Sequence, residues 1–400
     1  MKKRVVLGVI CMTFAVAACG KITVNDAETA QEQTEEQSQE PAEEPSDVET
    51  LENQAENEDN SDDSIDDKND DNDDIEYLWK KGQEEPFAYE FTVDECPGTY
   101  TITDNTTHSG IRINYDGNEE DNYCFYTGDD LLDGITDISF SDLNFDGYTD
   151  IIMLGYKDGS PCPLVFMGEW DRYASEEPVC TSFKESEAVS EFVRTSFDES
   201  VTSDDIIDYY THGIKNGEFT SYAEAYKLVL NFNESIKAPR KYNLIYVDED
   251  SVPELVADQS GFCLSMYTFR DGFITIPIVD WGYGAFGNYG YEYSEKNNCI
   301  RNINTDYGGN LLKDSFCAIK DGKIESTYYI GEYYFDDLNG NGYPDDDEKS
   351  EEGPCKVEYK NYTDEALSEE ELKTKVEELF SLDYVEMIGD KTAEEIYNEL

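Results

Sequence analysis

The sequence predicts a β-rich α+β fold: two lobes of mainly antiparallel strands, joined and flanked by short helices, behind a disordered acidic N-terminal tether. Three observations predict it. The chain has 400 residues, enough for two or three domains. Residues 26–76 are strongly acidic and contain no aromatic residue, whereas later segments alternate apolar and polar residues between Gly, Asn and Asp. Helical periodicity is confined to a few short segments.

The opening segment, MKKRVVLGVICMTFAVAACG, has the charge pattern of an export signal. Basic residues precede an apolar run that is too short for a membrane-spanning helix, and small residues lead up to Cys19. The segment VAAC, residues 16–19, resembles the lipobox of bacterial lipoproteins, in which the cysteine receives a diacylglyceryl group and becomes the N-terminus. This resemblance implies a signal peptide over residues 1–18; the alternative is an ordinary signal peptide with a chance cysteine.

Lipidation at Cys19 implies that the protein is attached to the outer face of the cytoplasmic membrane, at the cell surface. Two acyl chains hold a protein stably on a membrane, where a single chain does not. Residues 26–76 then carry 23 acidic residues against the single Lys68, which is −22 of the total charge of −63. Such a segment cannot bury enough apolar surface to fold, and its charges repel. We therefore expect residues 19–76 to be a disordered linker, with an acidic interaction tail as the alternative.

The acidic composition also limits the partners. Nucleic-acid binding requires Lys and Arg on phosphates, so we expect no nucleic-acid partner. Electrostatic attraction to anionic lipid is disfavoured for the same reason. Small cations are the natural counterparts of this surface.

Strand patterns define the two lobes. The first lobe is predicted over residues 77–200, from segments such as YEFTV, IRINY, YCFYTG and PLVFMGEW. The second is predicted over residues 236–362, from KYNLIYV, CLSMYTF, FITIPIV, STYYIGEYYF and CKVEYKNY.

Helix signals fall between the lobes and at the C-terminus. Over residues 201–235, Ser203 is a predicted N-cap, and the next helix starts with Ser221 and Glu224 spaced as a capping box. Residues 363–400 contain two further helices. Their capping boxes are predicted at Ser368 with Glu371 and at Thr392 with Glu395.

Eight cysteines follow Cys19, four in each lobe. An exported chain with this even division favours disulfides within each lobe, with three possible pairings per group; buried reduced thiols are the alternative. With two histidines and no C-x-x-C, the sequence argues against a zinc site. The eight are Cys96, Cys124, Cys162, Cys180, Cys263, Cys299, Cys317 and Cys355.

The segment SDLNFDGYTDIIML predicts a calcium loop between two strands. Oxygen-bearing residues at positions 1, 3, 5, 7 and 9, with Gly147 at the sharp turn, suit a hard cation that takes six to eight oxygen ligands. Met153 occupies position 12, where an EF-hand has a bidentate Glu, and the flanks are strands, so this is not an EF-hand. The predicted ligands are Asp142, Asn144, Asp146, Tyr148 and Asp150.

Two later segments repeat the pattern. DLNGNGYPDDDE matches the full calcium-loop rule through position 12, again with a strand in front of it. Its predicted ligands are Asp337, Asn339, Asn341, Tyr343, Asp345 and Glu348. YVDEDSVPEL is a degraded copy, because Tyr246 replaces the first acid and Ser251 replaces the glycine, and we do not expect it to bind metal alone.

The strings DLNFDGYTDI and VDEDSVPEL resemble the Asp-x-Asp-x-Asp-Gly signature of FG-GAP and VCBS-type extracellular repeats. Those families place calcium loops between strands of β-propellers and related folds in adhesins and surface proteins. The copies start about a hundred residues apart, farther than one propeller blade of ~40–50 residues, which favours two lobes. The order AYKLVL…YNLIYVDEDSVPEL also resembles uncharacterised lipoproteins of Gram-positive gut bacteria.

Both strong loops have a simpler interpretation, because in a chain with 92 acidic residues such strings also form Asx turns that hold no ion. A bound calcium would in any case be structural. No G-x-S-x-G, phosphate loop or H-E-x-x-H is present, and two histidines leave little room for a His-based triad.

One aromatic segment, DWGYGAFGNYGYEY, is a candidate ligand platform. Aromatic residues at alternate positions would stack on sugar rings or peptide if exposed, and would belong to the core if buried. The platform residues are Trp281, Tyr283, Tyr289, Tyr291 and Tyr293.

Together these features predict a calcium-stabilised, non-enzymatic binding or adhesion module on a membrane anchor, with an extracellular glycan or protein as ligand. The alternatives are a secreted glycan-acting hydrolase with structural calcium, since a carboxylate pair is not excluded, and a purely structural surface protein.

Overall fold

The computed structural model describes residues 76–84, 87–94, 98–105, 110–115, 124–126, 132–170 and 180–400. The signal peptide, Cys19, the linker up to residue 75 and Cys96 lie outside the described residues. Residues 76–400 belong to one compact unit. The described part is strand-rich with antiparallel sheets, which confirms the predicted fold class.

The first lobe contains two antiparallel sheets, named sheet I and sheet II. Sheet I has the order β2-β3-β4-β5, and sheet II has the order β1-β6-β7-β9-β10, with β8 beside β7. The strands of sheet I are β2 (Ala88–Phe91), β3 (Tyr100–Asn105), β4 (Gly110–Tyr115) and β5 (Cys124–Tyr126). Those of sheet II are β1 (Trp79–Lys80), β6 (Gly134–Ser141), β7 (Asp150–Lys157), β8 (Ser160–Pro161), β9 (Leu164–Glu169) and β10 (Ser182–Glu185).

The second lobe also contains two antiparallel sheets, sheet III and sheet IV. Sheet III is a meander in chain order, β11-β12-β13-β14, and sheet IV has the order β19-β18-β17-β16-β15-β20. The strands of sheet III are β11 (Lys241–Ile245), β12 (Glu254–Gln259), β13 (Cys263–Arg270) and β14 (Phe273–Gly282). Those of sheet IV are β15 (Asn288–Ser294), β16 (Cys299–Asp306), β17 (Leu311–Lys320), β18 (Lys323–Tyr333), β19 (Lys356–Asn361) and β20 (Val385–Glu386).

Five α-helices lie in the described part of the chain. They are α1 (Glu187–Ser196), α2 (Ser203–Thr211), α3 (Tyr222–Ser235), α4 (Glu369–Phe380) and α5 (Ala393–Glu399). Helix α1 is an addition to the predicted pattern. No helix in these described ranges is long and apolar enough to cross a membrane.

The helix caps follow local sequence rules, with two corrections. The capping boxes at Ser368 and Thr392 are confirmed. Helix α2 begins one residue earlier than predicted, because Thr202, not Ser203, is its N-cap. Ser221 caps α3 as predicted, but the Glu224 carboxylate accepts hydrogen bonds from Thr220, so the reciprocal half of that box is absent.

The core is a stack of layers. One face of sheet II packs on sheet I, and the other packs on α1 and α2. Sheet III packs on α3 and α5 with one face, and on sheet IV with the other. Helix α4 covers the far face of sheet IV. Helices α1, α2, α3 and α5 therefore lie between two sheet pairs, sheets I and II on one side and sheets III and IV on the other. These pairs correspond to the two predicted lobes.

The prediction of disulfides within the second lobe is wrong, since none of its four cysteines is in a disulfide. Cys299 packs toward α4, whereas Cys317 packs toward sheet III, so the two side chains leave sheet IV on opposite faces. Cys263 is buried in sheet III, and Cys355 is exposed. In the first lobe, Cys162 and Cys180 are buried, and neither is in a disulfide.

Candidate functional site

The loop of residues 142–149, here called loop 1, joins β6 to β7 and is closed by the first residue of β7. The Asp150 side chain is 0% exposed. Its Oδ2 accepts a hydrogen bond from the Leu143 amide at 2.8 Å, and its Oδ1 accepts one from the Gly168 amide in β9 at 2.9 Å. Asp150 thus ties the start of loop 1 to the middle of sheet II.

Inside loop 1, the side chains of other predicted ligands accept hydrogen bonds from backbone amides of the loop. The Asp146 amide donates to Asp142 Oδ1 and to Asn144 Oδ1, both at 3.1 Å. The Gly147 amide donates to Asp142 Oδ2 at 3.0 Å, and the Tyr148 amide donates to Asp146 Oδ1 at 2.8 Å. Gly147 has φ 89°, a left-handed conformation that favours glycine. The side-chain oxygens of loop 1 therefore face the backbone amides of the same loop.

Three carboxylates of this turn, Asp142, Asp146 and Asp150, are close enough to interact electrostatically. Burial, and then the charge of Asp146, raise the pKa of Asp142 well above its ordinary value. The pKa of Asp150 is also raised well above its ordinary value, by burial first and then by Asp146 and Asp142. These shifts mean that ionising the loop is costly when no cation is present.

The donor set of loop 1 consists of the ligand types that calcium takes in proteins. It offers carboxylate, side-chain amide and backbone carbonyl oxygens, and a cation placed there would stabilise the charged carboxylates. Asp142, Asn144, Asp146 and Asp150 would provide the side-chain oxygens, and Tyr148 would provide a carbonyl. Among the described residues, no group of three or more His, Cys, Asp or Glu side chains is already arranged around a common metal position.

Loop 2, residues 337–348, lies between β18 and β19 and repeats this architecture. The Gly342 amide donates to Asp337 Oδ2 at 3.0 Å, as Gly147 does to Asp142 in loop 1. The Glu348 side chain closes the loop by accepting from the Leu338 amide at 2.9 Å. Asn339 and Asn341 both donate from their side chains to Asp345 Oδ2, which links three of the predicted ligands of loop 2. Tyr343 is exposed at its tip.

Loop 3, residues 246–253, joins the adjacent antiparallel strands β11 and β12 of sheet III. Loop 1 likewise joins two adjacent antiparallel strands, β6 and β7 of sheet II. Glu254, the first residue of β12, accepts from the Val247 amide at 2.8 Å, as Asp150 does from Leu143. The Asp250 amide donates to Asp248 Oδ1, and the Val252 amide donates to Asp250 Oδ1.

The three loops therefore share one set of backbone hydrogen bonds. In each, the amide at position 5 donates to the side chain at position 3, and the amide at position 7 donates to the side chain at position 5. In each, the amide at position 2 donates to the closing acid. Loops 1 and 2 also have left-handed residues at positions 4 and 6, which loop 3 lacks. Loop 3 is the same turn without the first acid and without the sharp glycine.

The acid that closes loop 3, Glu254, is also perturbed. Glu254 is 1% exposed. Its pKa is raised to about 7, mainly by burial and also by the nearby Asp248 and Asp250. Loop 3 thus has acids that are costly to ionise but has fewer oxygen donors than the other two loops.

Loop 1 also makes a contact that its sequence pattern does not indicate. Phe145, at position 4, is 1% exposed and has φ 60°, an uncommon value for a residue with a side chain. Its ring packs edge-on against Phe219 at 5.1 Å and belongs to the core formed by α3, α5 and sheet III. Loop 1 therefore connects the sheet of the first lobe to the core of the second.

The structure divides the predicted aromatic platform. Tyr291 and Tyr293 are buried in the core between sheets III and IV, and Trp281 and Tyr283 pack against that core. Tyr289 is 70% exposed, because the register of β15 shifts between Asn288 and Gly290. The core interpretation holds for four of the five side chains, and Tyr289 alone projects into solvent.

Searches of the chain against protein-family models, curated proteins and solved structures found no match.

Proposed function

We propose that this chain is an exported surface lipoprotein, anchored through Cys19, whose folded part is a calcium-stabilised, non-enzymatic binding or adhesion module. The observation that carries the proposal is the shared architecture of loops 1 and 2. Both loops gather oxygen donors at calcium-loop spacing, and both carry a left-handed glycine at the turn. The lipobox-like segment and the acidic linker support the location.

Calcium in this proposal is structural. Loop 1 holds the buried Phe145 in the core of the second lobe, and loop 2 lies between β18 and the edge strand β19 of sheet IV. A cation that offsets repulsion within these loops would stabilise the surrounding sheets. The ligand is expected to be an extracellular glycan or protein, bound on a surface that calcium keeps ordered.

The calcium proposal predicts a metal-dependent melting temperature. Calcium that binds only the folded chain should add about 2.7 kcal/mol at a hundredfold excess over the dissociation constant, or several degrees for a chain of this size. Magnesium should substitute poorly, because it requires a tighter octahedral site. Thermal melts of the full chain in chelator, calcium and matched magnesium would measure this effect.

Two variants separate specific binding from charge screening. Asp146→Asn and Asp337→Asn keep an oxygen acceptor but remove one charge from loop 1 and loop 2, so each should reduce the response to calcium. Asp62→Asn in the acidic linker is the matched control and should respond like the wild type. Coincident wild-type melts in all three buffers would contradict the proposal and leave both loops as Asx turns.

The anchor is tested separately. Replacing Cys19 by alanine removes the thiol that would carry the diacylglyceryl group, so the protein should move from the membrane pellet to the medium or remain unprocessed. Cell fractionation with mass spectrometry of the N-terminus measures both outcomes. A variant that matures and fractionates like the wild type would rule out lipidation at this position.

A further inference from the structure

Three asparagines of this chain are followed directly by glycine: Asn216, Asn339 and Asn341. In such a pair the backbone nitrogen of the glycine can attack the side-chain amide of the asparagine, because glycine has no Cβ to obstruct the approach. This attack deamidates the asparagine where the backbone around it has room to move. Asn339 and Asn341 are both exposed in loop 2, whereas Asn216 is half-buried. Two of the three pairs thus lie in one exposed loop.

The groups around Asn341 suit this reaction. The Gly342 amide donates to Asp337 Oδ2 at 3.0 Å, so a carboxylate lies within hydrogen-bond reach of the proton that the attacking nitrogen must lose. The Tyr343 amide donates to Asn341 Oδ1 at 2.7 Å. Negative charge develops on this oxygen when the nitrogen attacks Cγ, and a fixed backbone donor stabilises that charge. Asn341 therefore has a nucleophile, a base and an oxyanion donor within its own turn.

The neighbouring pair in loop 2 lacks the base. The Asn341 amide donates to Asn339 Oδ1 at 2.9 Å, so an oxyanion donor is present there too. The Gly340 amide, however, donates to no carboxylate among the described residues. Asn339 and Asn341 thus share a sequence context, a loop and an exposed side chain, but differ in the group that can take the proton.

The third pair is held in place. Asn216 Nδ2 donates to the Ile274 carbonyl at 3.1 Å, and Asn216 Oδ1 accepts from the Ile274 amide at 2.8 Å. A Cβ atom on Gly217 would lie 2.6 Å from the Phe273 ring, whereas one on Gly342 would meet nothing within 4 Å. The backbone after Asn216 is therefore crowded, and the backbone after Asn341 has open space around it.

We propose that Asn341 is a site of spontaneous deamidation, which gives loop 2 a carboxylate at position 5. The Gly342 nitrogen forms a bond to Asn341 Cγ while Asp337 takes its proton. The bond from Cγ to Nδ2 then breaks, and the departing amide group recovers a proton and leaves as ammonia. Solvent water opens the resulting succinimide at one carbonyl to give aspartate, or at the other to give isoaspartate.

The aspartate product would give loop 2 the residue types that loop 1 has at positions 1, 3 and 5. Loop 1 has Asp146 at position 5 and makes the same two hydrogen bonds, from the Tyr148 amide to Asp146 and from the Gly147 amide to Asp142. The turn can therefore keep its hydrogen bonds after the change. The calcium affinity of such loops depends on the number of charged ligands, so the added charge should strengthen it. This consequence rests on the proposed function, whereas the deamidation itself does not require calcium.

Incubation of the full-length chain in chelator at neutral pH, followed by peptide mass spectrometry, would test the inference. In the folded chain Asn341 should convert at least ~10-fold faster than Asn339, because only Asn341 has the base, and Asn216 should convert most slowly. In denaturant the three sites should convert at similar rates, since the fold no longer positions the base. Equal rates at Asn339 and Asn341 in the folded chain would overturn the inference. Because chelator removes calcium, this result does not depend on the melts that test the calcium proposal.

Two variants test the role of the carboxylate. Asp337→Asn keeps a hydrogen-bond acceptor but removes the base, so conversion at Asn341 should slow at least ~10-fold while conversion at Asn339 stays unchanged. Asp347→Asn removes the same charge from an exposed position of loop 2 and should leave both rates unchanged. Asp337→Asn protein that converts Asn341 at the wild-type rate would overturn the inference. An equal change at Asn339 and Asn341 would also overturn it, because the effect would then belong to the whole loop.

Discussion

Replacing Phe145 by alanine should lower the free energy of unfolding by ~3–5 kcal/mol, the usual loss when a buried Phe is truncated. The ring is 1% exposed and packs against Phe219, although its backbone belongs to a loop of the other lobe. The variant would leave a cavity at the junction between sheet II and the core around α3. Denaturant titration followed by tryptophan fluorescence and by far-UV circular dichroism would measure the loss.

The same experiment tests whether loop 1 couples the two lobes. If Phe145 fastens the lobes together, the two optical signals should separate in the alanine variant, because one lobe can then unfold before the other. Phe286→Ala is the control, since that ring is fully exposed and should change the free energy of unfolding by less than about 0.5 kcal/mol. A Phe145→Ala variant that unfolds like this control would show that the junction does not depend on loop 1.

Much of the fold could be predicted because its signals are local. Ser368 and Thr392 cap their helices as the capping-box spacing indicates, and loop 1 lies between two strands as its flanking residues indicate. The spacing of Asp142 and Asp150 also determines which backbone amides they accept hydrogen bonds from, since both acids lie within one nine-residue turn.

Other features depend on contacts between distant segments, which spacing does not encode. Phe145 occupies a loop position for which the calcium-loop pattern requires no particular residue. Only its packing in the core around α3 shows that the side chain is buried. Tyr289, Tyr291 and Tyr293 have the spacing of one strand face, but the bulge at Asn288 turns the first of them outward. Cys299 and Cys317 look available for pairing in sequence, and the register of sheet IV places them on opposite faces.

Loop 3 forms the same turn as loops 1 and 2 although its sequence departs from the calcium-loop rule. Ser251 and Tyr246 depart from the calcium-loop rule, so the sequence alone ranks this copy as degraded. Its backbone nevertheless has the hydrogen bonds of loops 1 and 2, because these require only acceptors at positions 3 and 5 and a closing acid. The turn therefore has fewer sequence requirements than the cation site.

The second large expected effect is a change of stability with pH that depends on Glu254, the acid that closes loop 3. Its pKa is raised from 4.5 to about 7 in the folded chain, mainly by burial. Between these values the folded chain holds a proton that the unfolded chain has lost, so stability should fall as pH rises through this window. The cost is absent below pH 4.5 and is fully present above about pH 7, where it reaches ~3 kcal/mol.

Glu254→Gln should remove this cost, because a glutamine oxygen can still accept the hydrogen bond from the Val247 amide and carries no charge to bury. The variant should match the wild type near pH 4.5 and be more stable by ~3 kcal/mol at pH 8 in chelator. Asp142 and Asp150 give the wild type a pH dependence of stability of the same sign, so the measured quantity is the difference in unfolding free energy between variant and wild type at each pH.

Glu249→Gln, on the exposed part of loop 3, should follow the wild type throughout. A constant difference between Glu254→Gln and the wild type from pH 4.5 to 8 would mean that Glu254 is ionised at little cost. In that case the closing acid of loop 3 would be stabilised as an anion by hydrogen bonding within the turn, such as that from the Val247 amide.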